Sequence, residues 1–190
     1  RLINTRIKQD NSPNAFNRAG RKRIMLKRYM YILILLTSVA AQAAGTRATV
    51  TKIVDGDTIH VNSNGTILKV RLIGIDAPEK VTKSKVRRDS NRTGDDIRTI
   101  LAQGKRSTNY LKSILRKGAS VTLEYDLQQY DRNGRTLAYV YLSDGRMLNE
   151  LIIAAGYAVP LTVPPNVKYR DRFYRAHREA KAAKRGLWRD

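Results

Sequence analysis

Residues 48–73, ATVTKIVDGDTIHVNSNGTILKVRLI, decide the fold. Residues 48–54 are rich in β-branched side chains and stop at Asp55-Gly56. The pattern resumes over 58–61, and Asn64-Gly65 separates it from a third apolar run over 67–73. β-Branched residues suit a pleated, half-buried surface, and Asn-Gly supplies the positive-φ positions of a tight hairpin turn. A three-strand antiparallel meander is predicted.

Downstream, residues 80–96, KVTKSKVRRDSNRTGDD, read as an exposed polar loop that is either substrate-facing or disordered, with a helix admitted from Asp95 onward. Residues 107–116 place Leu111, Ile114 and Leu115 at helical spacing, with Gly118 as a stop. Residues 119–125 alternate as a strand. Asp131-Arg-Asn-Gly134 forms a turn, and 136–142 make a fifth strand closed by Asp144-Gly145. A short helix follows over 147–155, capped by Gly156. A charged amphipathic helix over 168–185 carries Tyr169, Phe173, Ala176 and Ala180 on one side, and Leu187-Trp188 is expected to pin its end to the core. Five strands and three helices make the fold α+β, mainly β.

The chain carries 37 Lys and Arg against 16 Asp and Glu, a formal charge of +21 with pI near 10.6. So basic a surface attracts phosphate polyanions by steering and counterion release. Charge alone admits anionic lipid or a merely solubilising surface as well. Against this background two acidic clusters stand out: Asp55-Gly-Asp57 in VDGDT and Asp76-Ala-Pro-Glu79 in RLIGIDAPE. Carboxylates gathered in a basic protein suggest a metal held where a polyanion arrives. Cysteine is absent, so disulfides and thiolate metal sites are excluded.

The N-terminal part reads as an address. The basic segment Arg21-Lys-Arg-Ile-Met-Leu-Lys-Arg28 precedes a charge-free run from Tyr29 to Gly45, followed by the small-residue pattern Ala41-Gln-Ala43. These are the parts of a signal peptide, with the mature chain expected to begin near Ala44. Met25 sits where a signal peptide of ordinary length would start, so residues 1–24 are either upstream of translation or a long basic n-region. An uncleaved membrane anchor is the competing reading, although the run falls short of the ~20 residues a spanning helix needs. The expected organisation is an extension and export signal over 1–43 and one domain over 44–190. The domain keeps 28 basic against 15 acidic residues, a balance of +13, so the export signal does not create its charge.

The ordered series VDGDT, VRLIGIDAPE, a helix beginning near Gly104-Lys-Arg-Ser, DRNGRTLAYVYL, GRMLNELIIAAGYA and a final helix ending KRGLW resembles the staphylococcal nuclease (thermonuclease) family. The resemblance runs from about Ala48 to Trp188. It implies an OB-fold: a five-stranded Greek-key barrel with three helices. It also implies a calcium ion held by Asp57, Asp76 and the backbone carbonyl of Ala77, with coordination positions left for water and a phosphate oxygen. Many relatives carry Thr at the position of Ala77, and a carbonyl ligand survives that change. Glu79 matches the carboxylate that orients or deprotonates the attacking water. Arg71 and Arg135 match the two arginines that clamp the phosphate, a task suited to a planar, permanently charged fork. Taken singly, Asp57 reads equally as a turn carboxylate, and each arginine as a surface ion pair. Asp55 is expected to be a turn residue rather than a ligand.

His60 and His177 match no catalytic position, and Tyr110, Tyr125, Tyr139 and Tyr141 read as packing residues. After Gly156, where relatives commonly place nucleotide-contacting tyrosines, the chain has Thr162 and Val163 near those positions. The 80–96 loop is expected to compensate by holding backbone phosphate. The expected function is an exported, periplasmic or secreted, calcium-dependent nuclease acting on DNA and/or RNA as a monomer without an obligate protein partner. The alternatives are a non-catalytic OB-fold that binds nucleic acid, and a membrane-anchored scaffold facing anionic lipid.

Overall fold

The computed structural model describes residues 45–78, 87, 90, 91, 94 and 96–189. Residues 1–43, expected to hold an export signal or anchor, Glu79 and most of the 80–96 loop lie outside the described residues. The meander forms as the alternation predicts: β1 (Thr46–Ile53), β2 (Thr58–Ser63) and β3 (Thr66–Leu72) pair antiparallel. Asn64 and Gly65 turn the hairpin with φ of 50° and 85°, the left-handed values such a turn requires. A bulge between Val50 and Lys52 bends β1, the usual device for closing a curved sheet.

Closure comes from β5 (Ser120–Glu124) and β6 (Thr136–Leu142), giving a closed barrel in the order β1-β2-β3-β6-β5. β3 and β6 run parallel, and every other barrel pair is antiparallel. Alternate residues Val50, Ile59, Val61, Val70, Leu72, Val121, Leu123 and Val140 point inward and are buried. The period-2 pattern thus fills the barrel with aliphatic side chains, and the expected OB-type barrel with three helices is what forms. Two strands of two residues each, β4 (Ile75–Asp76) and β7 (Val159–Pro160), pair outside the barrel. They are too short to leave a periodicity in the sequence.

The helix α1 runs from Ile97 to Ile114, so it begins near the earliest of the expected starts, Asp95, and well before Gly104-Lys-Arg-Ser. Its extra turns are anchored by Ile100, which is buried, and it continues through Gly104, also buried, where close packing offsets glycine's poor helix propensity. α2 (Leu148–Ala154) and α3 (Arg170–Ala182) cover the barrel. Phe173, Ala176 and Ala180 are the buried face of α3, as expected. Trp188, in the 3-10 turn Gly186–Trp188, meets His177 edge-on with ring centroids 5.2 Å apart. Tyr139 is fully buried, while Tyr110, Tyr125 and Tyr141 pack against the core at its margin. Among the described residues no helix is long and apolar enough to cross a membrane.

Candidate active site

The β1–β2 turn sets the first carboxylate. Asp55 Oδ1 accepts the backbone N–H of Asp57 at 3.2 Å, so Asp55 shapes the turn as expected. Gly56 permits close approach from α1: a Cβ built there would stand 2.3 Å from Ser107 Oγ and 2.6 Å from the Ala77 Cβ. Asp57 itself is buried, with the Thr58 hydroxyl donating to Oδ1 at 3.0 Å and the Ala77 backbone N–H donating to Oδ2 at 2.9 Å. These bonds fix the carboxylate and place the Ala77 backbone beside it.

The second carboxylate comes from β4. Asp76 pairs with Val159 of β7, and Leu161 N–H donates to the Gly74 carbonyl at 2.9 Å, so the segment after α2 holds Asp76 in place. Arg71, opposite Thr58 in the β2–β3 ladder, reaches both acids. Its Nη2 lies 3.1 Å from Asp57 Oδ2 and 3.3 Å from Asp76 Oδ1, and its Nη1 donates to the Leu72 carbonyl at 3.1 Å. The predicted Asp57, Arg71 and the adjacent Asp76 and Ala77 are therefore brought together from three places in the chain. Two carboxylates converging on one cationic atom, with the Ala77 backbone beside Asp57, supply oxygen donors of the kind a hard divalent cation takes. Among the described residues no cluster of three or more His, Cys, Asp or Glu forms.

Arg71 also lines a cleft of about 490 Å³ whose other wall carries Arg135. Asp131, which the sequence reading used only as a turn residue, is what places Arg135. Asp131 Oδ1 accepts the backbone N–H groups of Asn133 and Arg135, both at 2.9 Å, and Oδ2 accepts Arg135 Nε at 2.7 Å. Burial works to raise the Asp131 pKa, but these hydrogen bonds and the Arg135 charge outweigh it and hold the carboxyl below its ordinary range. With Nε engaged, both Nη groups of Arg135 are left to donate to a ligand. The signal was present in the sequence as an Asp four residues before an Arg across an Asn-Gly turn.

Leu161 and Val163, 42% and 57% exposed, line the same cleft. Of the two residues expected near relatives' tyrosine positions, Val163 lines this cleft and Thr162 does not, and among the described residues no aromatic side chain lines it. Asn166 closes its far end: its amide receives the Gln128 N–H at 2.8 Å and donates to the Gln128 carbonyl at 2.7 Å. His60 lies on the outer face of β2 and His177 packs on Trp188, so neither joins the cleft.

Residues 69–190 match the family described as Staphylococcal nuclease homologue. The chain is 35% identical over 139 residues to a Thermonuclease of Staphylococcus hyicus, covering 73% of each chain. It is 36% identical over 139 residues to a Thermonuclease of Staphylococcus intermedius, covering 73% of this chain and 74% of that one. An "Uncharacterized endonuclease" of Escherichia coli O157:H7 is 31% identical over 165 residues, which is 87% of this chain and 92% of the relative.

Proposed function

The chain belongs to the staphylococcal nuclease family, and on that premise we propose that it is an exported, calcium-dependent nuclease that hydrolyses phosphodiester bonds of DNA and/or RNA. The observation that carries the reading is the convergence of Asp57 and Asp76 on Arg71, which lines one cleft with Arg135. Asp57, Asp76 and the Ala77 carbonyl are the ligands that would hold the cation. When bound, such an ion neutralises charge that builds on phosphoryl oxygen.

The protein's own part follows from its residues. The guanidinium groups of Arg71 and Arg135 bind the phosphate from two walls of the cleft, and they gain strength as charge develops on its nonbridging oxygens. Arg135 needs no rearrangement, because Asp131 already fixes it through Nε. Glu79 accepts the proton of a water molecule as the water oxygen bonds to phosphorus. The opposite P–O bond breaks, and the departing sugar oxygen takes a proton from solvent. Export is supported by the basic segment 21–28 and the apolar run that follows it.

The test is digestion of single- and double-stranded DNA and RNA by the purified chain with calcium, with chelator, and with Glu79→Gln. Cleavage is expected in calcium alone, with the Glu79→Gln variant slower by roughly 10²–10⁴-fold. Full activity under chelation would defeat the metal assignment. Tight binding with no cleavage of any nucleic acid in calcium would point to a non-catalytic binding domain instead.

A further inference from the structure

The outer face of the meander carries two lysines flanking a histidine that the cleft does not use. Lys52 of β1 lies opposite His60 of β2, and His60 lies opposite Lys69 of β3. Both lysines are exposed, and among the described residues neither is ion-paired. Burial, then the charges of Lys52 and Lys69, hold the His60 pKa below its ordinary value, so the three groups sense one another. Lys52 and Lys69 flank His60 from the two neighbouring strands, so two lysine charges face solvent on one sheet surface. A row kept in this state suits an anionic ligand.

Its position says which anion. Lys69 and Arg71 share the outer face of β3, two residues apart, or about 6.6 Å along the strand at ~3.3 Å per residue. That is the reach of one nucleotide of extended backbone. On the far side of the row, Thr49 lies opposite Asn62, and there a groove of about 710 Å³ opens. It is lined by Arg47, Thr49, Thr51, Asn62, Ser120 and Thr122 among others, and among the described residues no carboxylate lines it. Hydroxyl and amide groups with a single guanidinium are the partners that phosphate and sugar oxygens take without regard to sequence.

We propose that the Lys52–His60–Lys69 row and the groove beyond it form a second binding site for the single-stranded polynucleotide, holding the backbone phosphates that continue from the one clamped at Arg71. The proposal rests on the nuclease reading for the position of the first phosphate. Substrates long enough to cross the row gain affinity from it, while a dinucleotide does not reach it. The site therefore sets preference for long chains without entering the chemistry.

The test compares the full chain with Lys52→Ala/Lys69→Ala, whose substitutions fall on exposed strand positions, after circular dichroism confirms that both are folded. Binding of a fluorescent single-stranded 20-mer is measured by anisotropy in chelator over a range of salt. Cleavage of a dinucleotide and of the 20-mer is measured in calcium. Two lost phosphate contacts reduce the slope of log K against log salt by about 1.4 and weaken 20-mer binding roughly tenfold at low salt. KM for the 20-mer rises and dinucleotide cleavage stays at its original rate. Arg47→Ala is expected to weaken the 20-mer but not a tetramer. Unchanged 20-mer affinity and slope, or an equal loss on the dinucleotide, would overturn the proposal. If the unmodified chain cleaves neither substrate, the nuclease reading fails while the anisotropy comparison still decides whether the row binds polynucleotide.

Discussion

Arg71 holds two roles whose costs separate on mutation. With its side chain only 12% exposed, between Asp57 at 7% and Asp76 at 18%, it neutralises two carboxylates that have little access to water. Removing one partner of such a group leaves charge buried without compensation, at a cost of about 3–5 kcal/mol. Arg71→Ala is thus expected to lower the urea-unfolding free energy by about 3 kcal/mol in chelator, and millimolar calcium is expected to restore much of it, because the cation neutralises the same two acids. A loss indifferent to calcium would show that Asp57 and Asp76 do not share an ion. Asp131 acts one step removed, as a positioning residue for Arg135. Asp131→Asn keeps the turn's shape but weakens the grip on Nε, so kcat is expected to fall about tenfold to a hundredfold, with KM little changed. The variant should also be less sensitive to acid. The folded-state pKa of Asp131 is depressed, so its stabilisation is complete above ~3.9 and disappears as pH falls through the lower folded value. Arg135 and Asp131 were legible together in DRNGR once spacing was considered, whereas the Arg71 bridge was not. Asp57 and Asp76 meet only because the barrel brings the β1–β2 turn beside the end of β3.

Elements hold the site through contacts made by small residues. Gly74, at φ 77° between β3 and β4, sits under α3: a Cβ built there would stand 2.5 Å from the Phe173 ring. Gly74→Ala meets both the left-handed backbone and the aromatic ring. It is expected to cost about 1–3 kcal/mol and to reduce activity as well, since Gly74 also accepts the Leu161 N–H beside Asp76. Gly74→Ala/Phe173→Leu should recover stability in part, whereas no recovery in urea titrations would mean that the backbone strain dominates. Asn149 shows a similar economy on α2: fully buried, it receives the Val140 N–H at 2.9 Å and donates to the Ile73 carbonyl at 2.8 Å, tying β6 to the end of β3. The barrel strands were legible because inward and outward residues alternate over five or more positions. β4 and β7 were not, because two residues make no alternation and their pairing joins positions 75–76 to 159–160. The start of α1 was read at Asp95, near Gly104 and at Ser107, since polar residues and a glycine precede the apolar spacing. Burial of Ile100 selects the earliest one.

The whole molecule combines a strongly basic surface with a few partly buried titrating groups, and these divide its acid response into two stages. His177 is held below its ordinary pKa by burial and then by the Lys181 charge, and its Nδ1 finds no hydrogen-bond partner among the described residues. Its folded pKa lies below its unfolded value near 6.5, so the unfolded chain takes up the proton first. Stability is therefore expected to be level above pH ~6.5 and to decline below it, until the folded pKa is also passed. His60 contributes in the same direction. The carboxylates respond later. Burial alone would raise the pKa of Glu124, but hydrogen bonds from Lys168, Tyr141 and Tyr169, together with the Lys168 charge, bring it below the ordinary value. Its share is complete above ~4.3 and is lost as pH falls through the lower folded value. The stages separate experimentally, since His177→Phe keeps a ring against Trp188 but cannot titrate. Urea midpoints taken between pH 7.5 and 3.5 should show the variant with a shallower decline from pH 7 to 5 and an unchanged one below pH 4. If the two proteins decline in parallel from pH 7 to 5, His177 is protonated as easily folded as unfolded, and the first stage belongs to His60 or to repulsion among the surplus surface cations.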